Sequence, residues 1–268
     1  MGNPGKHHPT NSQSMTDDPE PNRHLDLEGV YNLRDLGGYP TPSGRQTRWK
    51  MFLRCGSMHR MTLKSQTALI DHGVRTIIDL RTTQETQEQP NVFAQSSAVT
   101  YQHYNMIGDE PLDESSVTAA SGEIAEQILN SYRTFLDQRK RQIGQILVTL
   151  SSPDTCPVVF HCAGGKDRTG IISALLLEIA GVPRHLIAQD YGLSARYLLE
   201  RYCSEHAPPG VSAENFTWQD FQRQFCPPQA MVSVLTYLQQ QYNGARGYAR
   251  LVGLTDNQIN GLRDAILE

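Results

Sequence analysis

Ten consecutive residues, His161-Cys162-Ala163-Gly164-Gly165-Lys166-Asp167-Arg168-Thr169-Gly170, hold a nucleophile, three charged groups and the glycines needed for a tight bend. A loop containing Gly164 and Gly165 can turn successive backbone N–H groups inward as a nest for an anion. A helix starting near Thr169 adds unsatisfied N–H groups and a partial positive charge at its first turn. Such a site suits phosphate. It also favours the thiolate of a cysteine lying at its base, which is the reactive form. Arg168 comes six residues after Cys162, a spacing that can bring its planar fork back to the rim to grip two phosphate oxygens. Lys166 adds a second positive charge, for phosphate contact or simply as a solvated lysine. Asp167 is a candidate general acid or a helix cap. Thr169 offers a hydroxyl to the sulfur. His161 packs or orients the loop; a thiolate already activated by its surroundings needs no base.

The predicted chemistry has two steps. Cys162 attacks phosphorus while a carboxylic acid protonates the leaving oxygen. Water then hydrolyses the thiophosphoryl group, with the same carboxylate as base. No cofactor and no metal is expected.

The elements that must position this loop are legible in outline. Pro157 to His161 reads as a central strand leading into the loop. Thr169 to Ala180 reads as a mostly buried helix closed by Gly181. Upstream, Lys50 to Arg54, Val74 to Leu80 and Ala98 to Tyr104 read as strands, and Thr62 to His72 as a helix capped by Thr62 and ended by Gly73. Glu123 to Leu150 has helical spacing with a break expected near Gly144. Beyond Pro183 the chain reads as helical, with breaks near Pro208-Pro209, Pro227-Pro228 and Gly244. Alternating strands and helices indicate one α/β domain: a central sheet flanked by helices, with a helical C-terminal half. Residues 1–22, rich in Pro, Asn, His and Ser, read as a disordered tail without the apolar stretch of a secretory signal, leaving 23–268 as the domain. The His7-His8 pair in it is read as incidental.

The loop resembles the His-Cys-x-x-Gly-x-x-Arg-Thr-Gly signature of the protein-tyrosine phosphatase superfamily. Its longer form is similar to the atypical bacterial and fungal branch, the IphP-like tyrosine/serine phosphatases. Asn32-Leu33-Arg34-Asp35-Leu36-Gly37-Gly38-Tyr39, Ile78-Asp79-Leu80-Arg81 and Arg54-Cys55-Gly56-Ser57 resemble segments of the same branch, in the same order. The resemblance implies Cys162 as nucleophile, Arg168 as phosphate ligand, and Ala163, Gly164, Gly165, Lys166 and Thr169 around the substrate. It implies Asp167 as general acid; Asp79, at the end of a strand, is a second candidate read from its position. Many other tyrosine phosphatases use an upstream Trp-Pro-Asp loop. None is present, and Trp218-Gln219-Asp220 lies downstream without the proline. Arg34 reads as a structural partner of Asp35 that supports the loop, and Asp79 with Arg81 as a strand-end network. Lys166 and Asp167-Arg168-Thr169 are also similar to loop residues of phosphoinositide phosphatases. The implied substrates are therefore phosphotyrosine proteins, with phosphoserine, phosphothreonine or phosphoinositides as further candidates.

Composition excludes other classes. A formal net charge of −4 gives no broad attraction to nucleic acid, so an anionic substrate must be held locally. No apolar run is long enough to span a membrane. The five cysteines are scattered, without a Cys-x-x-Cys pair, which argues against a disulfide framework or zinc ribbon and fits a reducing, cytoplasmic setting. One of Cys55, Cys156, Cys203 and Cys226 could pair reversibly with Cys162; the sequence does not choose among them. A silent phosphate-binding module and a sulfurtransferase-like thiol enzyme are the competing readings.

Overall fold

The computed structural model describes residues 23–110, 123–208, 210–212 and 214–268. The tail expected over residues 1–22, His7-His8 within it, and the break expected at Pro209 lie outside these residues.

The centre of the fold is β5 (Val158–His161), a strand whose four residues are all buried. It pairs in parallel with β2 (Phe52–Cys55) on one side and β3 (Thr76–Asp79) on the other. β4 (Thr100–His103) adds in parallel beyond β3, and the two-residue β1 (Arg34–Asp35) adds antiparallel beyond β2. The order is β1-β2-β5-β3-β4. The period-2 alternation of a strand divides the core between two faces. Phe52, Ile78, Val158 and Phe160 join the larger apolar cluster, while Leu53, Ile77 and Val159 join the smaller one. Strands buried on both faces need a near-continuous apolar sequence, which Val158-Val159-Phe160 supplies.

Helix α1 (Leu63–Asp71) covers the smaller cluster through Leu69. Its Thr62 cap accepts from Ser65 N, as the sequence predicts. A short α2 (Thr83–Glu88), absent from the sequence-based expectation, follows β3. The larger cluster is built by α3 (Ile124–Gln138), α4 (Lys140–Leu150), α5 (Asp167–Ala180) and α6 (Arg184–Glu205). After these come α7 (Trp218–Phe225), α8 (Pro228–Tyr242), α9 (Gly244–Leu251) and α10 (Asp256–Ile266). The helical C-terminal half thus matches the expectation, including breaks at Pro227-Pro228 and near Gly244.

The break in the Glu123 to Leu150 stretch falls at Arg139, whose φ of −115° and ψ of 30° leave the helical region, and not at Gly144. Gly144 sits inside α4 for a packing reason: a Cβ there would lie 2.2 Å from the carbonyl oxygen of Val252. α5 begins at Asp167, two residues before the expected Thr169, so Asp167 and Arg168 occupy its first turn. It ends on Gly181 in the left-handed conformation, φ 86°. Among the described residues no helix is long and apolar enough to cross a membrane.

Candidate active site

The loop from Cys162 to Lys166 joins the C-terminal end of β5 to the N-terminus of α5, where parallel sheets place ligands. Its carbonyl groups are all engaged on the outside. Ala163 O accepts from Ser57 N (2.9 Å) and Arg201 Nη1 (2.9 Å). Asn32 Nδ2 donates to Gly164 O (3.1 Å) and Gly165 O (3.0 Å). Arg54 Nη2 donates to Gly165 O (2.7 Å) and Lys166 O (3.4 Å). The amides of residues 163–168, by contrast, find no acceptor among the described residues. With the carbonyls engaged in this way, the N–H groups of the loop are left available, and Cys162 at its start is 2% exposed.

Gly165 is required twice over: its φ is +65°, and a Cβ would sit 2.3 Å from both the carbonyl carbon and oxygen of Cys55. Gly165→Ala must therefore displace the loop from the β2 end. The expected result is a loss of roughly 1–3 kcal/mol from the strained conformation, with phosphate binding lost at the same time. Urea unfolding and phosphate titration would check both.

Arg168 is 11% exposed and forms a bidentate pair with Glu85: Nη1 to Oε2 at 2.6 Å and Nη2 to Oε1 at 2.9 Å. Burial opposes the guanidinium's charge, and Glu85 and the neighbouring Cys162 sulfur more than restore it. Glu85 is itself fixed, because it closes a capping box with Thr82 at the start of α2. Burial would raise its carboxyl, but Arg168 and Thr82 outweigh that and bring it to about 2. The signal for this residue in the sequence is the capping-box pattern Thr82-Thr83-Gln84-Glu85, which by itself does not point to Arg168.

A buried cluster supports the loop from below. Arg34 Nε donates to Asp190 Oδ1 (3.0 Å) and Arg54 Nη1 to Asp190 Oδ2 (2.6 Å); both arginine side chains have zero exposure. Tyr39 Oη donates to Asp190 as well (3.1 Å), and Arg34 also reaches Asn32 Oδ1. Arg34 does not pair with Asp35, as the sequence had suggested, since consecutive strand residues face opposite sides. Asp35 accepts instead from the amides of Gly37 and Lys50. Asp190, on α6, carries no sequence motif of its own.

Asp79 is not placed as an acid. Its carboxylate is fully buried and takes Arg81 Nη2 (2.7 Å) and Tyr101 Oη (3.0 Å). Burial alone would raise it, yet the Arg81 guanidinium, hydrogen-bonded to it, holds it well below the usual carboxylate range, so it has no proton to give. His161 stays neutral because burial lowers its pKa. Phe93 N donates to Asn91 Oδ1, which leaves Asn91 Nδ2 to donate to His161 Nε2 (2.8 Å). His161 Nδ1–H then donates to Cys162 O (3.2 Å). His161 thus orients the start of the loop.

Lys166 donates from Nζ to Phe225 O (2.8 Å) and lies 3.5 Å from Asp167 Oδ1, so its ammonium ties the loop to α7. Asp167 is 45% exposed in its side chain and accepts from Tyr132 Oη at 2.6 Å. Thr169 is wholly buried, and its hydroxyl has no partner among the described residues. Asp220 of Trp218-Gln219-Asp220 closes a capping box with Thr217 on α7. All five cysteines are free, and no group of His, Cys, Asp and Glu among the described residues is arranged to hold a metal. Beside the loop opens a cleft of about 260 Å³, with Ala163, Gly164 and Asp167 at one end and Leu198, Tyr202, Phe221 and Phe225 as apolar walls.

A mixed sheet whose central parallel strand leads into a cysteine loop with unsatisfied amides and an arginine at its end has the arrangement of a cysteine-dependent phosphatase. The comparisons agree. A family model described as the tyrosine phosphatase family matches residues 25–268, and the chain belongs to that family. It is 32% identical to a tyrosine-protein phosphatase of Nostoc commune over 79% of this chain and 72% of that one. It is 25% identical to the triple specificity protein phosphatase PtpB of Mycobacterium tuberculosis over 90% of this chain and 98% of that one. The solved structure of P. aeruginosa TpbA covers 74% of this chain and 95% of its own at 13% identity and a TM-score of 0.29, too slight a likeness to add weight. The protein is a tyrosine phosphatase, a hydrolase of phosphate monoesters.

Proposed function

We propose that Cys162 is the nucleophile, Arg168 the phosphate clamp and Asp167 the general acid of this phosphatase, within a catalytic domain spanning residues 23–268. The observation that carries the reading is the engagement of every carbonyl from Ala163 to Lys166 beside amides that have no acceptor among the described residues. A phosphoryl group seated there meets the amides and the Arg168 fork, which complement the charge of the transition state.

Cys162 sulfur forms a bond to phosphorus as the bond to the ester oxygen breaks. The proton for that oxygen comes from Asp167, at the exposed mouth of the site. A water then attacks the phosphorus, gives its proton to the Asp167 carboxylate, and the sulfur leaves as thiolate. The unpartnered Thr169 hydroxyl is suited to donate to that departing sulfur. The apolar cleft favours an aryl leaving group, hence phosphotyrosine. The M. tuberculosis relative is named a triple specificity phosphatase, so acceptance of more than one kind of phosphate ester is proposed here too. Five free thiols suit a reducing, cytoplasmic setting.

Cys162→Ser tests the reading. Turnover of para-nitrophenyl phosphate is expected to fall by roughly 10⁴-fold or more, as for other removed nucleophiles, while a phosphotyrosine peptide still binds. Retained turnover would contradict it. Asp167→Asn should cost about 10²- to 10⁴-fold on phosphotyrosine, the usual worth of a general acid.

A further inference from the structure

Tyr132 belongs to none of the motifs recognised in the sequence. It comes from α3, is 2% exposed, and places its hydroxyl 2.6 Å from Asp167 Oδ1 and 3.1 Å from the hydroxyl of Tyr191 on α6. A phenol has one proton and a carboxylate oxygen can only accept. Tyr132 therefore donates to Asp167 and receives from Tyr191, and the chain of bonds runs one way, from Tyr191 through Tyr132 to Oδ1. The two rings meet edge to face, 6.2 Å apart at 87°, which packs the Tyr132 ring in place against Tyr191. Burial first, and the nearby carboxylate second, push the pKa of both phenols far up, so neither proton is lost in the working range. The second donor near Asp167, Lys166 Nζ, is also on the Oδ1 side, at 3.5 Å. Oδ2 has no partner among the described residues, and the side chain is open to the cleft.

We propose that Tyr132 is a positioning residue that reserves Oδ1 of Asp167 as an acceptor, so that the catalytic proton is carried on Oδ2 and faces the leaving oxygen. The proposal rests on the reading of Asp167 as the general acid. In the first step the Oδ2–H bond breaks and the proton goes to the departing ester oxygen. The resulting carboxylate gains charge that the Tyr132 donor, already in place, accommodates without rearrangement. In the second step Oδ2 takes a proton from the attacking water, and the cycle closes. Tyr191 holds Tyr132 in the rotamer that makes this selection.

The test is leaving-group dependence. Tyr132→Phe removes one oxygen and keeps the ring. A hydrogen bond to a charged group of this kind is worth about a tenfold change in rate, so kcat on phosphotyrosine should fall about tenfold with KM little changed. An aryl phosphate whose leaving group departs without proton assistance, such as 2,4-dinitrophenyl phosphate, should lose less than about twofold in kcat/KM, which reports only the first step, while phosphotyrosine loses about tenfold in the same constant. In an Asp167→Asn background, Tyr132→Phe should add nothing. Equal slowing of the two substrates, or a further loss in that background, would overturn the proposal. Tyr191→Phe, which leaves the Tyr132–Asp167 bond intact, guards against a Tyr132 variant that folds poorly: it should show the same leaving-group bias at smaller amplitude, and no bias would overturn the proposal. If Asp167→Asn is itself fully active, the acid assignment fails, and that result is distinct from a failure of Tyr132 alone.

Discussion

Arg168→Ala should lower kcat/KM for phosphotyrosine by roughly 10³- to 10⁵-fold, the scale at which arginines act on transferring phosphoryl groups. The loss follows from two features of the site. The guanidinium is held at 11% exposure beside the Cys162 sulfur, where Coulomb interactions are strong, and its orientation is fixed in advance by the bidentate Glu85 pair. Arg168→Lys should recover little, because a lysine cannot make the fork. Glu85→Gln keeps the arginine but removes its charge partner; the expected loss is about tenfold, seen mainly in kcat. Steady-state kinetics on the three variants, with melting curves to verify folding, would read out this order. An Arg168→Lys enzyme close to wild type would mean that the fork does not contact the phosphoryl group.

The second large effect falls on stability. Among the described residues Asp190 is the one carboxylate paired with Arg34 and Arg54, two side chains with no exposure at all. Removing it leaves buried guanidinium charge uncompensated, which costs about 3–5 kcal/mol. Asp190→Ala should therefore lower the urea midpoint sharply, and activity should fall with it, because Arg54 also holds Gly165 O and Lys166 O in place. The pH dependence has a definite sign. Burial alone would raise the Asp190 carboxyl, but Arg34 and Arg54 bring it down from 3.8 to about 2. A carboxyl lowered by folding contributes its full stabilisation above its unfolded value and loses it as the pH falls between the two. The wild-type protein should accordingly lose stability as the pH drops from near 4 toward 2. Asp190→Asn should show a flatter acid limb, measured by unfolding at a series of pH values.

What the sequence revealed divides along a physical line. Cys162, Arg168 and the glycines between them are contiguous, so their chemistry is written in spacing alone. The flanking strand and helix follow from apolar runs and from Gly181. Partners that only the fold brings together were not visible. Glu85 lies 83 residues before Arg168, and Asp190 lies 156 after Arg34. Nothing in the neighbourhood of Tyr132 marks it as a contact of Asp167. The misassigned Arg34–Asp35 pair shows the same limit from the other side, since neighbours in a strand are the residues least able to meet. Gly144 shows that a glycine can mark close packing, here against Val252, as readily as a break.

The central claim is that phosphate passes through the sulfur of Cys162. It is tested most directly by acid-quenching the enzyme during turnover of a phosphotyrosine peptide and locating the phosphoryl group by mass spectrometry of the fragment containing residues 161–170. The account predicts a phosphoryl group on Cys162, present in the wild type, enriched in Asp167→Asn with an activated substrate, and absent from Cys162→Ser. A phosphoryl group on His161 or on any other side chain, or undiminished turnover by Cys162→Ser, would contradict it.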